Sequence, residues 1–117
     1  MELRSRLEGA VTVVSPQGRI DLERAPLFEK ALAPILEECK PGQRSVLLDF
    51  SGVDYVSSVG LRALMIAARK VAAQKGRIAV AGLQPLVREV FEISRFHLVV
   101  KVHDSVDAGL SALAQPS

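Results

Sequence analysis

A chain of 117 residues, 49% apolar and 24% charged, has room for one hydrophobic core but not two, and its composition is not that of a disordered polypeptide. With four Phe, one Tyr and no Trp, that core is built from Leu, Val, Ile and Ala, and no apolar run is long enough to span a bilayer, so no membrane insertion is expected. The net charge of +2 comes from basic residues spread among Asp and Glu, without stacking aromatics beside them, which argues against direct contact with nucleic acid. The opening residues lack the apolar middle region of a signal peptide, and Cys39, the single cysteine, has no partner for an internal disulfide. Both features predict a cytoplasmic location.

Leu3 and Leu7 alternate with charged residues, Glu8-Gly9 offers a turn, and Ala10–Ser15 reads as a strand, so the chain opens with a hairpin over Met1–Ser15. Pro16 and Gly18 close it, and Gly18-Arg19-Ile20-Asp21 leads into a first helix. That helix begins near Ala25-Pro26, since proline suits a first helical turn. Leu27, Phe28, Ala31, Leu32, Ile35 and Leu36 mark its apolar face, while Pro34 predicts a kink or break around Lys30-Ala31. Cys39-Lys40-Pro41-Gly42 stops it, leaving Cys39 as a partly buried helix-end residue.

Ser45–Phe50 is the next strand, followed by a Ser-Gly-Val-Asp-Tyr-Val approach to two serines, Ser57 and Ser58. A second helix over Val59–Lys75 turns Leu61, Leu64, Met65, Ala68, Val71 and Ala72 inward and ends on Gly76 as a left-handed cap. Arg77–Ala81 is a strand. A third helix from Pro85 to about Ile93 carries Leu86, Val87, Val90, Phe91 and Ile93 inward; Leu98–Val102 is a last strand and Val106–Ala114 a final helix.

Helices alternating with strands imply a largely parallel sheet. Val46, Leu48 and Phe50 oppose Ser45 and Asp49, and Ile78 and Val80 oppose Arg77, Ala79 and Ala81, a pattern of one face under helices and one nearer solvent. Right-handed crossovers between neighbouring strands place all the helices on the same side. The expected fold is a two-layer α/β domain over residues 1–117: a mixed, mostly parallel sheet of about five strands with about four helices mainly on one face.

The chain contains no Gly-rich phosphate loop, metal-ligand cluster or nucleophile elbow, so no catalytic machinery, cofactor or metal is expected. His97 and His103, its only histidines, read as surface or strand-edge residues. Asp21, Asp49 and Asp54 fall at strand ends, where open α/β sheets place their sites, but turn formation and capping are the ordinary work of aspartate there. Ser57 and Ser58 precede a helix start. A hydroxyl there is a preferred N-cap, and it also sits at the positive end of the helix dipole, where a phosphate is tolerated. The residues alone leave both readings open.

Four stretches in this order resemble the STAS domain, the module shared by sulfate transporters and anti-sigma factor antagonists, and in particular a free-standing antagonist. Gly18-Arg19-Ile20-Asp21 resembles the family's Gly-x-Leu/Ile-Asp, and Leu47–Leu61 its strand, aspartate and Ser-x-Gly-Leu segment. Gly76-Arg77-Ile78 and Pro85–Phe96 resemble its second half. The resemblance covers nearly the whole chain and implies a regulatory protein rather than an enzyme.

It also implies that Ser58 is the phosphoacceptor, since it stands two residues before the motif glycine, Gly60. Where the family's usual pattern has Asp before the acceptor and Ser or Thr after it, this chain has Ser57 and Val59, so Ser57 is a rival acceptor. The implied mechanism is partner switching. The unphosphorylated protein binds a cognate anti-sigma factor, itself an ATP-dependent serine kinase, and a sigma factor is released. Phosphorylation of Ser58 ends that binding, and a PP2C-like phosphatase resets it. ATP and metal belong to those partners. The implied contact surface comprises Asp21, Ser57, Ser58, Val59, Gly60 and Leu61, together with Arg62, Ile66 and Arg69 off the core stripe of the second helix; Lys70 lies off that stripe too. A homodimer is left open. Two other roles of the fold stand as alternatives: an unphosphorylated adaptor subunit of a lipid-transport ATPase or stress-signalling complex, and a nucleotide-binding STAS module.

Overall fold

The computed structural model describes residues 3–115. The hairpin is present within them, with β1 (Arg4–Glu8) antiparallel to β2 (Val11–Ser15); Met1 and Glu2 of the expected span lie outside the described residues. β2, β4 (Ser45–Asp49), β6 (Ile78–Ala81) and β7 (Lys101–His103) then run parallel, giving a five-stranded sheet ordered β1-β2-β4-β6-β7. The expected mixed, mostly parallel sheet is therefore present.

Two further strands escape the sequence reading. β3 (Gly18–Ile20) and β5 (Val53–Val56) form a separate parallel pair, with Ile20 opposite Val56. Elements of three and four residues with a register shift between them are too short to show a period in sequence.

Four helices cover the main sheet: α1 (Ala25–Glu37), α2 (Ser58–Ala73), α3 (Pro85–Ile93) and α4 (Val106–Ala114). Val46 and Leu48 align with Thr12 and Val14 on one side and with Ile78 and Val80 on the other, forming an apolar floor. Phe28, Leu32 and Leu36 of α1, Ala63, Leu64 and Val71 of α2, and Val87 and Phe91 of α3 bury themselves on it. Phe91 stands edge-on to Phe50 at 6.3 Å and to Phe96 at 5.2 Å, an arrangement favoured by the ring quadrupole.

The fourth helix departs from the expectation of one common side. α4 packs Val106, Leu110 and Leu113 over the opposite face, on Val11, Val13, Leu47, Ala79 and Ala81. Leu47 is the residue that the alternation of Val46, Leu48 and Phe50 leaves out. Apolar residues of both parities in Val46-Leu47-Leu48 and Val13-Val14 need cover on both faces.

Other boundaries shift for identifiable reasons. Of the kink or break expected from Pro34, the break is absent: α1 runs unbroken from Ala25 to Glu37, with Leu32 and Leu36 buried on either side of the proline. Leu27 of α1, Ala72 of α2, and Leu86 and Ile93 of α3 are exposed rather than inward. The expected strand at Leu98–Val102 is a single 3-10 turn at Phe96–Leu98 followed by the short β7: Arg95 adopts a left-handed conformation (φ 58°), which turns Phe96 into the core and leaves Leu98 and Val99 outside. At the end of α2 the left-handed residue is Lys75 (φ 62°), not Gly76. Gly76 is needed for a different reason: a Cβ there would run into the carbonyl of Cys39. Cys39 is fully buried, its thiol donates to the Arg77 carbonyl at 3.2 Å, and burial pushes its pKa up.

Arg77 joins the two sides of the sheet. Just before β6, its guanidinium donates to the carbonyls of Ala112 (3.1 Å), Leu113 (3.4 Å) and Gln115 (2.5 Å) at the end of α4, where Ala112 also accepts the Gln115 N–H. Arg77→Met keeps the stem and removes the donors. It is expected to lower stability by about 1.5–3 kcal/mol, the usual worth of charge-assisted bonds, read as a lower urea midpoint at unchanged slope. A wild-type midpoint would mean that the cap does not hold α4.

Candidate functional site

The two serines do different work. Ser57 is the N-cap of α2: its backbone is extended (φ −82°, ψ 172°), and its Oγ accepts the N–H of Gly60 at 3.1 Å. The same hydroxyl donates to the carbonyl of Ile20 at 3.4 Å, and the Ser57 N–H donates to that carbonyl at 3.0 Å. Ser58, the first residue of the helix, is exposed, and among the described residues its hydroxyl has no hydrogen-bond partner. The capping expected of the pair falls on Ser57 alone, and Ser58 is displayed.

Gly60 explains why the helix can start so close to β3. A Cβ on it would collide with the Ile20 carbonyl and would lie 3.0 Å from Val56 Cγ1 and 3.1 Å from Ile20 Cγ2. A hydrogen atom in place of a side chain lets the first turn of α2 sit against the β3–β5 pair. Ile20 and Val56, both buried, are the supporting residues that the sequence reading missed. Only the spacing of Ile20 after Gly18 offered a sign of them, because the pairing is between segments 36 residues apart.

Asp21 follows Ile20 and lies beside this turn. Its Oδ1 accepts the N–H of Arg24 at 3.1 Å, and its Oδ2 lies 3.5 Å from Arg19 Nε. The Arg24 N–H first, and then Arg19, hold its carboxyl below the usual range. Arg19 also lies over the Tyr55 ring, 4.3 Å from its centroid. Asp49 accepts from the Ser51 N–H (3.0 Å) and the Ser15 hydroxyl (3.4 Å), while Asp54 is an exposed strand residue. Asp21 and Asp49 make turn contacts as expected, Asp54 does not, and no group of three or more His, Cys, Asp or Glu among the described residues is placed to hold a metal. His97 is exposed and His103 lies on the edge strand β7; neither makes a hydrogen bond to Ser57 or Ser58.

Along α2, Ser58, Arg62, Ile66 and Arg69 recur every three or four residues and share one exposed strip. Ile66 is 50% exposed and Val59 38%, while Leu61 is half-buried against the core. Leu22, beside Asp21, is 70% exposed, an apolar residue at this end of the molecule that the sequence reading did not single out. Lys70 does not join the strip. Its Nζ is 2.7 Å from Glu37 Oε1 on α1, and that ammonium holds the Glu37 carboxyl below its ordinary value. A cleft of about 770 Å³ opens elsewhere, lined by Ala68, Ala72, Ile78, Val100, Lys101 and Leu113. The surface around Ser58 thus offers a projecting hydroxyl, two arginines and scattered apolar side chains, a composition suited to a protein surface.

Residues 3–109 match the STAS domain family. BtrV of Bordetella bronchiseptica, named for an anti-sigma factor antagonist role, is 36% identical over 96 residues, which cover 82% of this chain and 80% of BtrV. The chain therefore belongs to the STAS family. Among solved structures, an anti-sigma factor antagonist of Mycobacterium paratuberculosis superposes with a TM-score of 0.86 at 24% identity, over 97% of this chain and 94% of that one. The Bacillus cell fate determinant SpoIIAA in its phosphorylated form superposes with a TM-score of 0.68 at 13% identity, over 95% and 98% of the two chains. No helix among the described residues is long and apolar enough to cross a membrane.

The division of labour between the serines has a thermodynamic consequence. Ser57→Ala removes a cap and is expected to cost about 1 kcal/mol, whereas Ser58→Ala, at an exposed position without a partner, should stay within about 0.5 kcal/mol of wild type. Urea denaturation of the two variants checks this, and the reverse ranking would place the cap on Ser58.

Proposed function

We propose that this protein is an anti-sigma factor antagonist that works by partner switching through Ser58. In the unphosphorylated state the strip around Ser58 binds a cognate anti-sigma factor, a serine kinase, and a sigma factor is set free. The kinase transfers the γ-phosphoryl group of ATP to Ser58. The serine oxygen loses its proton and forms the new bond to phosphorus, the bond from that phosphorus to the β–γ bridging oxygen breaks, and ADP leaves. A PP2C-like phosphatase hydrolyses the phosphoserine and restores the binding form.

The observation that carries this reading is the exposed Ser58 hydroxyl beside a neighbour that already supplies the cap. A modification there leaves the hydrogen bonds that hold the helix start untouched. Ser57, the rival acceptor, is disfavoured because its oxygen is committed to the Gly60 N–H and the Ile20 carbonyl. SpoIIAA supports the reading at the level of the fold, which in that protein carries a phosphate.

A phosphate adds nearly two negative charges and three strong acceptors. At the start of α2 those charges meet the positive end of the helix dipole, so the modified protein keeps its fold and the effect is local. The solvated dianion stands in the contact surface. A loss of about 3 kcal/mol there weakens binding more than 100-fold, sufficient for a switch.

Ser58→Ala is expected to abolish phosphate incorporation by the cognate kinase and ATP while leaving kinase binding within about twofold of wild type, a change of less than about 0.5 kcal/mol. Label persisting in that variant, located by mass spectrometry, would move the acceptor elsewhere. Ser58→Glu should weaken the complex, read by titration calorimetry, and unchanged affinity would refute a mechanism based on local charge.

A further inference from the structure

We infer that Arg62 is the intramolecular counter-ion of a phosphate on Ser58, so that phosphorylation also withdraws a cation from the binding strip. The inference rests on Ser58 as the modified residue. Ser58 and Arg62 stand four residues apart on α2, about 6 Å along its axis and on the same side. Helical side chains lean toward the N-terminus, so a long side chain at Arg62 reaches back over Ser58.

The other cations at this end are already engaged. Of the groups brought by packed elements, Arg19 on β3 is engaged by Asp21 and the Tyr55 ring. The Arg24 guanidinium, just before α1, donates to the Gln17 carbonyl at 3.5 Å. Asp21 accepts from the Arg24 N–H, and Asp54 is exposed on β5. α2 itself contains Arg62, Arg69 and Lys70 and no carboxylate, and only Lys70 is paired. Among the described residues, Arg62 and Arg69 have neither an ion pair nor a side-chain hydrogen bond. A helix carrying cations without acids has no internal use for them, which leaves Arg62 free to pair with whatever anion comes within reach.

Two states follow. With a free hydroxyl, the strip presents two guanidinium groups flanking Ile66, a surface complementary to carboxylates on the partner. With a phosphate of about −1.5 to −2 charges on Ser58, Arg62 turns back onto the phosphate oxygens and the strip becomes close to neutral. The partner therefore loses an attractive contact and gains an obstructing anion in one step. Arg69, about 16 Å from Ser58 along the axis, is out of reach and serves as the internal control.

The test uses the full chain with phosphoserine installed at position 58 by genetic encoding, so no kinase is involved. The second ionisation of the phosphate is followed by phosphorus NMR across pH. Arg62 favours the dianion and depresses that pKa. Arg62→Gln should therefore raise it by about 0.15–0.4 unit, Arg62→Lys should keep most of the depression, and Arg69→Gln should leave the curve unmoved. Superimposable curves for the wild type and Arg62→Gln would overturn the inference, as would an equal shift from Arg69→Gln. Position 62 is exposed and Gln is a good helix former, so the variants fold. A cognate kinase that never modifies Ser58 would sink the proposed function and leave the result of this titration standing.

Discussion

The start of α2 depends on one backbone carbonyl, that of Ile20. It accepts the Ser57 N–H and the Ser57 hydroxyl, and Gly60 presses against it where any side chain would collide. Ile20 is placed by the pairing of β3 with β5, which also sets the direction in which the chain enters the helix. The cap, the glycine and the two short strands are therefore one joint. The next residue, Ser58, is exposed because Ser57 and Gly60 fix the backbone on either side.

This arrangement separates core from surface between two adjacent residues, Ser57 and Ser58. Ser57 and the buried face of α2 belong to the core, with Ala63, Leu64 and Val71 seated on the sheet. Ser58, Arg62, Ile66 and Arg69 belong to the surface, and no contact of the core passes through them. A charge can then be added at Ser58 without loss of burial or of a buried hydrogen bond. Under the proposed function, a phosphate there changes what the surface attracts rather than how the protein folds.

Much of the architecture was legible. Pro26 and Pro85 mark helix starts, β-branched runs mark β2, β4 and β6, and the strand-helix alternation gives the parallel sheet. Legibility failed where the period was too short or a pattern was read too narrowly. β3 and β5 show no repeat, and Leu98 and Val99, apolar by type, mimic a strand although Arg95 turns the chain outward there. The side of α4 is hidden in the sequence because Leu47, which it covers, breaks the alternation of Val46, Leu48 and Phe50. The candidate site was legible as a pair of serines before a helix, but their roles were not. Which of two adjacent hydroxyls caps depends on where the extended backbone ends, and that is set by the contact with Ile20.

The sequence by itself determined the number and order of the main elements, the apolar material of the core, the membership of the STAS family and the place where a hydroxyl meets a helix start, because periodicity, capping preference and motif spacing are local properties of the chain. Only the tertiary structure decided that Ser57 is tied down while Ser58 is displayed, that Arg77 holds α4 on the far face, and that Lys70 is spent on α1 while Arg62 and Arg69 have no partner among the described residues. Each of these depends on a group from a distant segment arriving at hydrogen-bonding distance, which local sequence does not encode.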